Sequence, residues 1–245
     1  MNNKSEMSLV GHLNELRKRL TVMVIVNLIV AALLFNRAAV IMQYLLDLNP
    51  GMQLVYISPS ELLLVYIQIS FIMALVLCSP LNIYEVWAFV EKGLYKREKA
   101  AVLTALVFGL VCFIGGAVFC YFMVLPTILQ FFVRIEIADV ASMISVKSYA
   151  SFANTMLLAF GCVFEMPVLV FLLTKLEILT PEFLKKNQAL LIVVIFIFAA
   201  IITPPDVVSQ IMLGLPMVLL LQLSILISVL VDKKNRKKHE QEAAQ

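Results

Sequence analysis

The chain has 245 residues, of which 62% are hydrophobic and only 14% are charged, and its mean hydropathy is +0.98. Soluble domains average about half apolar and about a quarter charged residues, so this composition excludes a soluble globular protein. The formal net charge is +3, and no nucleic-acid partner is expected.

Long apolar blocks divide the chain into predicted transmembrane helices. A helix rises about 1.5 Å per residue and needs roughly 20 residues to cross a hydrocarbon core of about 30 Å. Continuous apolar blocks argue against the alternating strands of a membrane barrel. The sequence therefore predicts an all-α integral membrane protein with a single membrane domain over residues 1–245. Its six spans are predicted near residues 20–41, 64–84, 101–124, 154–174, 188–203 and 209–231.

Lysine and arginine are distributed unevenly between the connecting segments. Because these charges resist translocation, the short loops that carry them stay in the cytoplasm. With the N-terminus inside, the outer loops hold only Arg37, Arg134 and Lys147 of the 19 basic residues. Both termini are therefore predicted to be cytoplasmic, with an amphipathic N-terminus over 1–19 and a basic tail over 232–245.

The N-terminal stretch "HLNELRKRL", residues 12–20, combines an apolar stripe with charges. Its leucines recur at helical spacing, which is typical of a helix lying along the membrane surface. Glu15, Arg17 and Arg19 lie off that stripe. In one interpretation Glu15 only pairs with Arg19 one turn later and the cations anchor the helix. In the other, Glu15 accepts a guanidinium from another molecule.

The connection "EVWAFVEKGLYKREK", residues 85–99, joins the second and third predicted spans. It holds Trp87, the only tryptophan, together with Phe89, and aromatic rings favour the membrane interface. Glu98 lies among three basic residues. A solvated charge run is one interpretation of this segment, and a carboxylate that receives a guanidinium from another molecule is the other.

Glu165 lies in the middle of the fourth predicted span, in "GCVFEMPVLV" at residues 161–170. An acidic residue near the centre of a membrane helix costs roughly 3 kcal/mol on insertion scales, so it is a candidate functional residue. The alternative is a structural hydrogen bond to a neighbouring span, for example to Gln68 or Gln222.

Enzymatic chemistry has no support in the sequence. We find no nucleophile beside a base, no glycine-rich phosphate loop and no metal-ligand spacing. All four cysteines lie inside apolar blocks, where they are expected to pack. The protein is not predicted to be an enzyme, and neither a metal nor another cofactor is expected.

Six stretches in the same order resemble the TatC family, the multispan component of the twin-arginine protein translocase. They are "HLNELRKRL" at 12–20, "SPSE" at 58–61, "CSPLNIYEVWAFVEKGLYKREK" at 78–99, "YFMVLP" at 121–126, "AFGCVFEMP" at 159–167 and "TPPDVVSQ" at 203–210. The resemblance implies a concave, glove-like fold of six spans in the bacterial cytoplasmic membrane. It also implies export of folded proteins, recognised by signal peptides with paired arginines and driven by the proton-motive force.

The resemblance also implies roles for individual residues. Glu15 and Glu98 match the acids that receive the twin arginines, with Arg17, Arg19 and Phe89 beside them. A second set matches sites for other membrane helices: Glu165 on the concave side, and Asp206, Gln210 and Gln222 toward a single-span partner of the TatA or TatB type. The chain is also expected to form homo-oligomers within a complex.

Two positions depart from the family pattern. Glu85 stands where glutamine is usual before "VWAF", which adds a charge near the recognition loop. Gln222 stands where glutamate is usual in the sixth span, so an ionisable group is missing from the membrane at this position. Two other functions remain open on the residues alone: a proton-coupled small-solute transporter that uses Glu165, and a passive scaffold for other membrane proteins.

Overall fold

The computed structural model describes residues 9–90, 96–134, 143–202 and 207–243. Its elements in chain order are α1 (Leu9–Phe35), α2 (Ala38–Leu46), β1 (Gln53–Val55), α3 (Pro59–Leu77), α4 (Ser79–Val90), α5 (Lys96–Phe119), a π-helical turn (Cys120–Val124), α6 (Leu125–Arg134), β2 (Met143–Ser145), α7 (Val146–Phe164), α8 (Met166–Lys175), α9 (Pro181–Lys186), α10 (Gln188–Ile202) and α11 (Val207–Ala243).

Within the described ranges, five helical segments are long and apolar enough to cross a membrane. They are Leu13–Phe35, Pro59–Leu77, Val102–Arg134, Val146–Lys175 and Val207–Arg236. Each of the five overlaps a predicted span. The remaining predicted span, 188–203, corresponds to α10, which is apolar but has only 15 residues. The mainly helical membrane fold is confirmed, whereas the count of six crossings stays a prediction.

Prolines lie beside the breaks inside two of the long helical segments and at the start of α4. Proline has no N–H and its ring clashes with the carbonyl four residues earlier, so it kinks or breaks a helix, although α11 continues through Pro216. Pro80 follows the first residue of α4, Pro126 follows a π-helical turn, and Pro167 is the second residue of α8. The first long helix instead ends at Phe35, where Asn36 and Arg37 form a turn before α2.

The helix ends gather on two sides of the molecule. We call one the basic side because it carries Arg19, Lys175 and the end of α11. There Lys175 Nζ donates to Asn235 Oδ1 at 2.8 Å, and Arg236 Nη2 lies 3.0 Å from Glu182 Oε1. These contacts hold α8, α9 and α11 together at that side.

The opposite side carries α2 and a small two-stranded sheet. Strands β1 and β2 pair in parallel, with Gln53 opposite Met143. The hydroxyls of Tyr121 and Tyr149 donate to carbonyl oxygens at the end of α2, on Tyr44 at 2.9 Å and Leu45 at 2.6 Å. Two spans are thus tied to the connection between α1 and α3.

Helices α5 and α7 approach closely at two glycines. A Cβ on Gly161 would lie 2.7 Å from the Phe113 ring, and one on Gly116 would collide with the carbonyl oxygen of Phe160. Small residues allow this approach, which drives helix association in lipid. Glu165 immediately follows α7 and lies against α5.

Candidate functional site

A cluster of three charged side chains lies on the basic side. Arg19 Nε and Nη2 donate to Oε1 of Glu15 at 3.1 and 2.9 Å, and Arg19 Nη1 donates to Oε2 of Glu85 at 2.8 Å. We call Glu15, Arg19 and Glu85 the charged cluster. The predicted ion pair between Glu15 and Arg19 is confirmed, but Arg19 has a second carboxylate partner that sequence reasoning did not find.

Helical spacing and one polar contact bring the cluster together. Glu15 and Arg19 are one turn apart on α1, so they share a face. That face packs against α4. About two turns further along α1, Asn27 Nδ2 donates to Asn82 Oδ1 of α4 at 2.8 Å. Buried amides need such a partner, and the pair fixes α1 against α4 so that Glu85 reaches Arg19.

A cavity of about 490 Å³ lies against the charged cluster. It is lined by Asn14, Glu15, Lys18, Arg19, Val22 and Glu85. The side chains of Glu15 and Glu85 are only 13% and 14% exposed. The cavity therefore presents two partly buried carboxylates, where a charge-assisted hydrogen bond is stronger than at a fully exposed surface.

Three other residues are matched by the family resemblance to signal-peptide binding, and neither of the two whose side chains the structure describes is among the residues that line this cavity. Arg17 is exposed and lines a separate apolar groove on α1 with Leu13 and Leu20, so the structure does not bring it to the charged cluster. Phe89 is half-buried one turn after Glu85 on α4. Glu98 belongs to the first turn of α5, and its side chain lies outside the described part of the structure.

Glu165 occupies the break between α7 and α8. It follows the last residue of α7, and Pro167 disfavours a regular continuation, so the carboxylate projects from a turn inside the apolar segment Val146–Lys175. The side chain is half-buried and makes no hydrogen bond or ion pair with any residue that the structure describes. The structural alternative is not supported for Gln68, because its Oε1 accepts from Ser151 Oγ at 3.0 Å instead.

The Glu165 carboxylate lies directly against Gly109 on α5. A Cβ built on this glycine would lie 2.7 Å from Oε2 and 3.1 Å from Oε1 of Glu165. Sequence reasoning missed Gly109, although an isolated glycine in an apolar helix signals a close approach. An apolar cavity of about 240 Å³ adjoins this region, lined by Thr104, Phe108, Pro167, Val168, Phe171 and Ile227.

Two of the three residues matched to a partner helix, Gln210 and Gln222, lie on α11. Gln210 Nε2 donates to the Phe196 carbonyl oxygen at 3.0 Å and so ties α11 to α10. Gln222 is exposed on α11, and its side chain makes no hydrogen bond with a described residue. Asp206 lies outside the described residues.

Comparison with known proteins agrees with these features. Residues 11–216 match the family model of the Sec-independent protein translocase protein TatC. A TatC protein of Helicobacter pylori is 43% identical over 237 residues, covering 95% of this chain and 94% of its own. One from Aquifex aeolicus is 36% identical over 236 residues, covering 94% and 98%.

The fold agrees as well. A crystal structure described as the twin arginine translocase receptor TatC superposes with a TM-score of 0.79 at 35% identity, covering 90% of this chain and 99% of that one. This match confirms the predicted mainly helical membrane fold of the TatC type. The chain is a multi-pass membrane protein and belongs to the TatC family of Sec-independent protein translocase components.

Proposed function

We propose that this protein is the receptor for twin-arginine signal peptides and the core subunit of a translocase that exports folded proteins. It acts in the bacterial cytoplasmic membrane with both termini in the cytoplasm, and the proton-motive force drives transport. The family supports a translocase role, and a solved relative is described as a twin arginine translocase receptor. The same match disfavours the small-solute transporter that uses Glu165.

The observation that carries this proposal is the guanidinium bound to Glu15. Two donors of Arg19 converge on one oxygen of Glu15, a side chain of low exposure that lines an open cavity on the side where basic residues concentrate. Arginine presents a planar fork of donors to a carboxylate, whereas lysine is a point charge on a flexible stem. A carboxylate that holds one guanidinium here has the surroundings to hold another from a peptide.

The remaining recognition residues have supporting roles in the proposal. Glu98, in the first turn of α5, receives the second arginine of the pair. Phe89 provides a half-buried aromatic surface beside Glu85. Arg19 holds the Glu15 carboxylate in the protein without peptide. Arg17 lines the apolar groove on α1, which suits the apolar part of a signal peptide.

Partner helices of the TatA or TatB type bind within the membrane. Glu165 offers a carboxyl with no partner among the described residues, next to an apolar cavity between α5, α8 and α11. A polar residue on a single-span helix gains most by meeting it there, since polar groups in lipid seek partners. Gln210 and Gln222 on α11, together with Asp206 just before it in the sequence, form a second contact, and several copies of the chain assemble in the complex.

The experiment that tests the receptor function is a binding measurement at fixed salt. Purified protein is titrated with a twin-arginine peptide and with the same peptide carrying two lysines. If each exchange loses about 1 to 2 kcal/mol, the lysine peptide binds tens to hundreds of times more weakly. Glu15→Ala and Glu98→Ala should each weaken binding of the arginine peptide and reduce this preference. Equal affinity for the two peptides in the unmodified protein would reject the receptor function.

A further inference from the structure

The guanidinium of Arg19 bridges carboxylates on two different helices. Three of its donor groups are used, two toward Glu15 on α1 and one toward Glu85 on α4, all within 3.1 Å. Arg19 itself is 20% exposed. Glu15 and Glu85 therefore already form a binding site for one guanidinium, and its present occupant belongs to the chain.

This site requires a cation. Two carboxylates that reach the same guanidinium lie close enough to repel each other strongly when nothing stands between them. Removing one partner of a shielded ion pair leaves an uncompensated charge, which is costly. Lys18 lines the same cavity, but a single ammonium cannot reproduce the planar fork that spans the two acids. The protein fills the site with Arg19.

We propose that an arginine of the signal peptide displaces Arg19 and binds between Glu15 and Glu85. This inference rests on the proposed receptor function and deepens it. Glu85 becomes a second acid of the arginine site, and Arg19 becomes an internal competitor. The family resemblance assigns neither role, since it leads one to expect glutamine at position 85.

The geometry explains why such a competitor favours arginine over lysine. A peptide side chain must replace three hydrogen bonds from one planar group, and only another guanidinium supplies donors with that spacing. The cavity of about 490 Å³ beside the cluster gives room for the entering side chain and for Arg19 after it leaves. A peptide lysine would release Arg19 and leave one acid without its donor.

Replacing Glu85 alone is a poor test, because it weakens the hold on Arg19 and on the peptide arginine together. The informative change is Arg19→Gln, which removes the competitor and keeps both acids. We expect this variant to bind the twin-arginine peptide about tenfold more tightly than the unmodified protein, or about 1.4 kcal/mol. The gain for the twin-lysine peptide should be smaller. Adding Glu85→Gln to Arg19→Gln should cancel the gain.

Two further measurements keep the inference testable if the Arg19→Gln protein folds poorly. Arg19→Lys keeps a positive charge but loses the fork, so it should fold and tighten peptide binding about threefold. Without peptide, ethylguanidinium should raise the melting temperature of the Arg19→Gln protein but not of the unmodified protein, and ethylammonium should raise neither. Glu182→Gln is the matched control, since it removes one acid from an ion pair that is more than 60% exposed on the same side.

Three results would overturn the inference. If Arg19→Gln and Arg19→Lys bind the arginine peptide equally or more weakly than the unmodified protein, Arg19 is not a competitor. If the gain survives Glu85→Gln, Glu85 is not part of the site. In either case the receptor function stands as long as the unmodified protein prefers arginine to lysine. If it shows no preference, both proposals fail.

Discussion

Glu165 carries a carboxyl group in a predicted membrane span, and the described structure provides no hydrogen-bond partner for that group. A carboxyl in mid-membrane is costly, yet no described residue forms a hydrogen bond or ion pair with it. It stands at a break that Pro167 imposes, over the backbone of Gly109. The arrangement leaves the carboxyl without a hydrogen-bond partner among the described residues, which is what we expect if Glu165 is a binding site rather than a structural contact.

Replacing Glu165 separates these two roles. Glu165→Gln retains a hydrogen-bonding group, so export of a twin-arginine cargo should fall less than with Glu165→Ala. The amount of protein in the membrane should be similar for all three proteins, because the carboxyl contributes no hydrogen bond to the described fold. Export and abundance are measured by immunoblot of cell fractions. Loss of the Glu165→Ala protein from the membrane would show instead that the carboxyl stabilises the fold.

Gly109 offers a second test of the same site. In Gly109→Ala the new methyl group would lie 2.7 Å from Glu165 Oε2, so the carboxylate must move and export should fall. Glu165→Asp in the same protein shortens the side chain by one methylene and should restore part of that export. Gly115→Ala on the same helix, with no atom within 4 Å of the new group, is the control and should export normally. Equal export by Gly109→Ala and Gly115→Ala would mean that the position of the carboxylate does not matter.

Some residue contacts followed from the sequence and others did not. The pairing of Glu15 with Arg19 follows from one helical turn. Arg17 and Arg19 are two positions apart and so point to different faces of α1, as the structure shows. Glu85 lies 66 positions from Arg19, and no periodicity links them. Only the approach of α1 to α4 brings these charges together.

At the scale of elements, prolines predicted some of the breaks but not what the chain does at each one, and α11 continues through Pro216. Pro126 and Pro167 lie within or at the end of predicted spans, and the helices are interrupted beside both. The π-helical turn at Cys120–Val124 and the pairing of β1 with β2 had no signal in the apolar pattern. Three-residue strands are too short for alternation to reveal them.

The contact between α5 and α7 depends on the absence of a side chain at Gly116. Gly116→Ala would drive a methyl group into the Phe160 carbonyl oxygen, and backbone on a packed helix cannot move aside cheaply. Overpacking of this kind costs typically about 1 to 3 kcal/mol. We therefore expect a lower melting temperature for the purified Gly116→Ala protein in detergent.

The adjacent glycine provides the control for this prediction. Gly115→Ala meets nothing within 4 Å, and alanine is favoured over glycine in a helix by about 1 kcal/mol. Its melting temperature should equal or exceed that of the unmodified protein. If the two alanine variants melt at the same temperature, close packing at Gly116 does not hold α5 against α7.

At the scale of the whole molecule, the short helix α10 decides the topology. Its 15 residues extend about 22 Å, which is less than the usual core of about 30 Å. Yet Thr174 contacts Ser228 and Lys175 contacts Asn235, so α8 and α11 run in the same direction with their ends on the basic side. The chain must return to the opposite side between them, and α10 is the described helix that makes this return. This geometry supports six crossings, with local thinning of the bilayer or tilt of longer neighbours at α10.

Cysteine labelling tests this topology in intact cells. In a protein whose four cysteines are replaced, Lys147→Cys and Lys186→Cys place single exposed thiols on the opposite side and the basic side. The two variants remove the same kind of charge, so they differ only in location. A membrane-impermeant maleimide should label Lys147→Cys from outside and label Lys186→Cys only after the membrane is opened, because the basic loops stay in the cytoplasm. Labelling of Lys186→Cys in intact cells would mean that α9 faces outward, which is incompatible with six spans and two cytoplasmic termini.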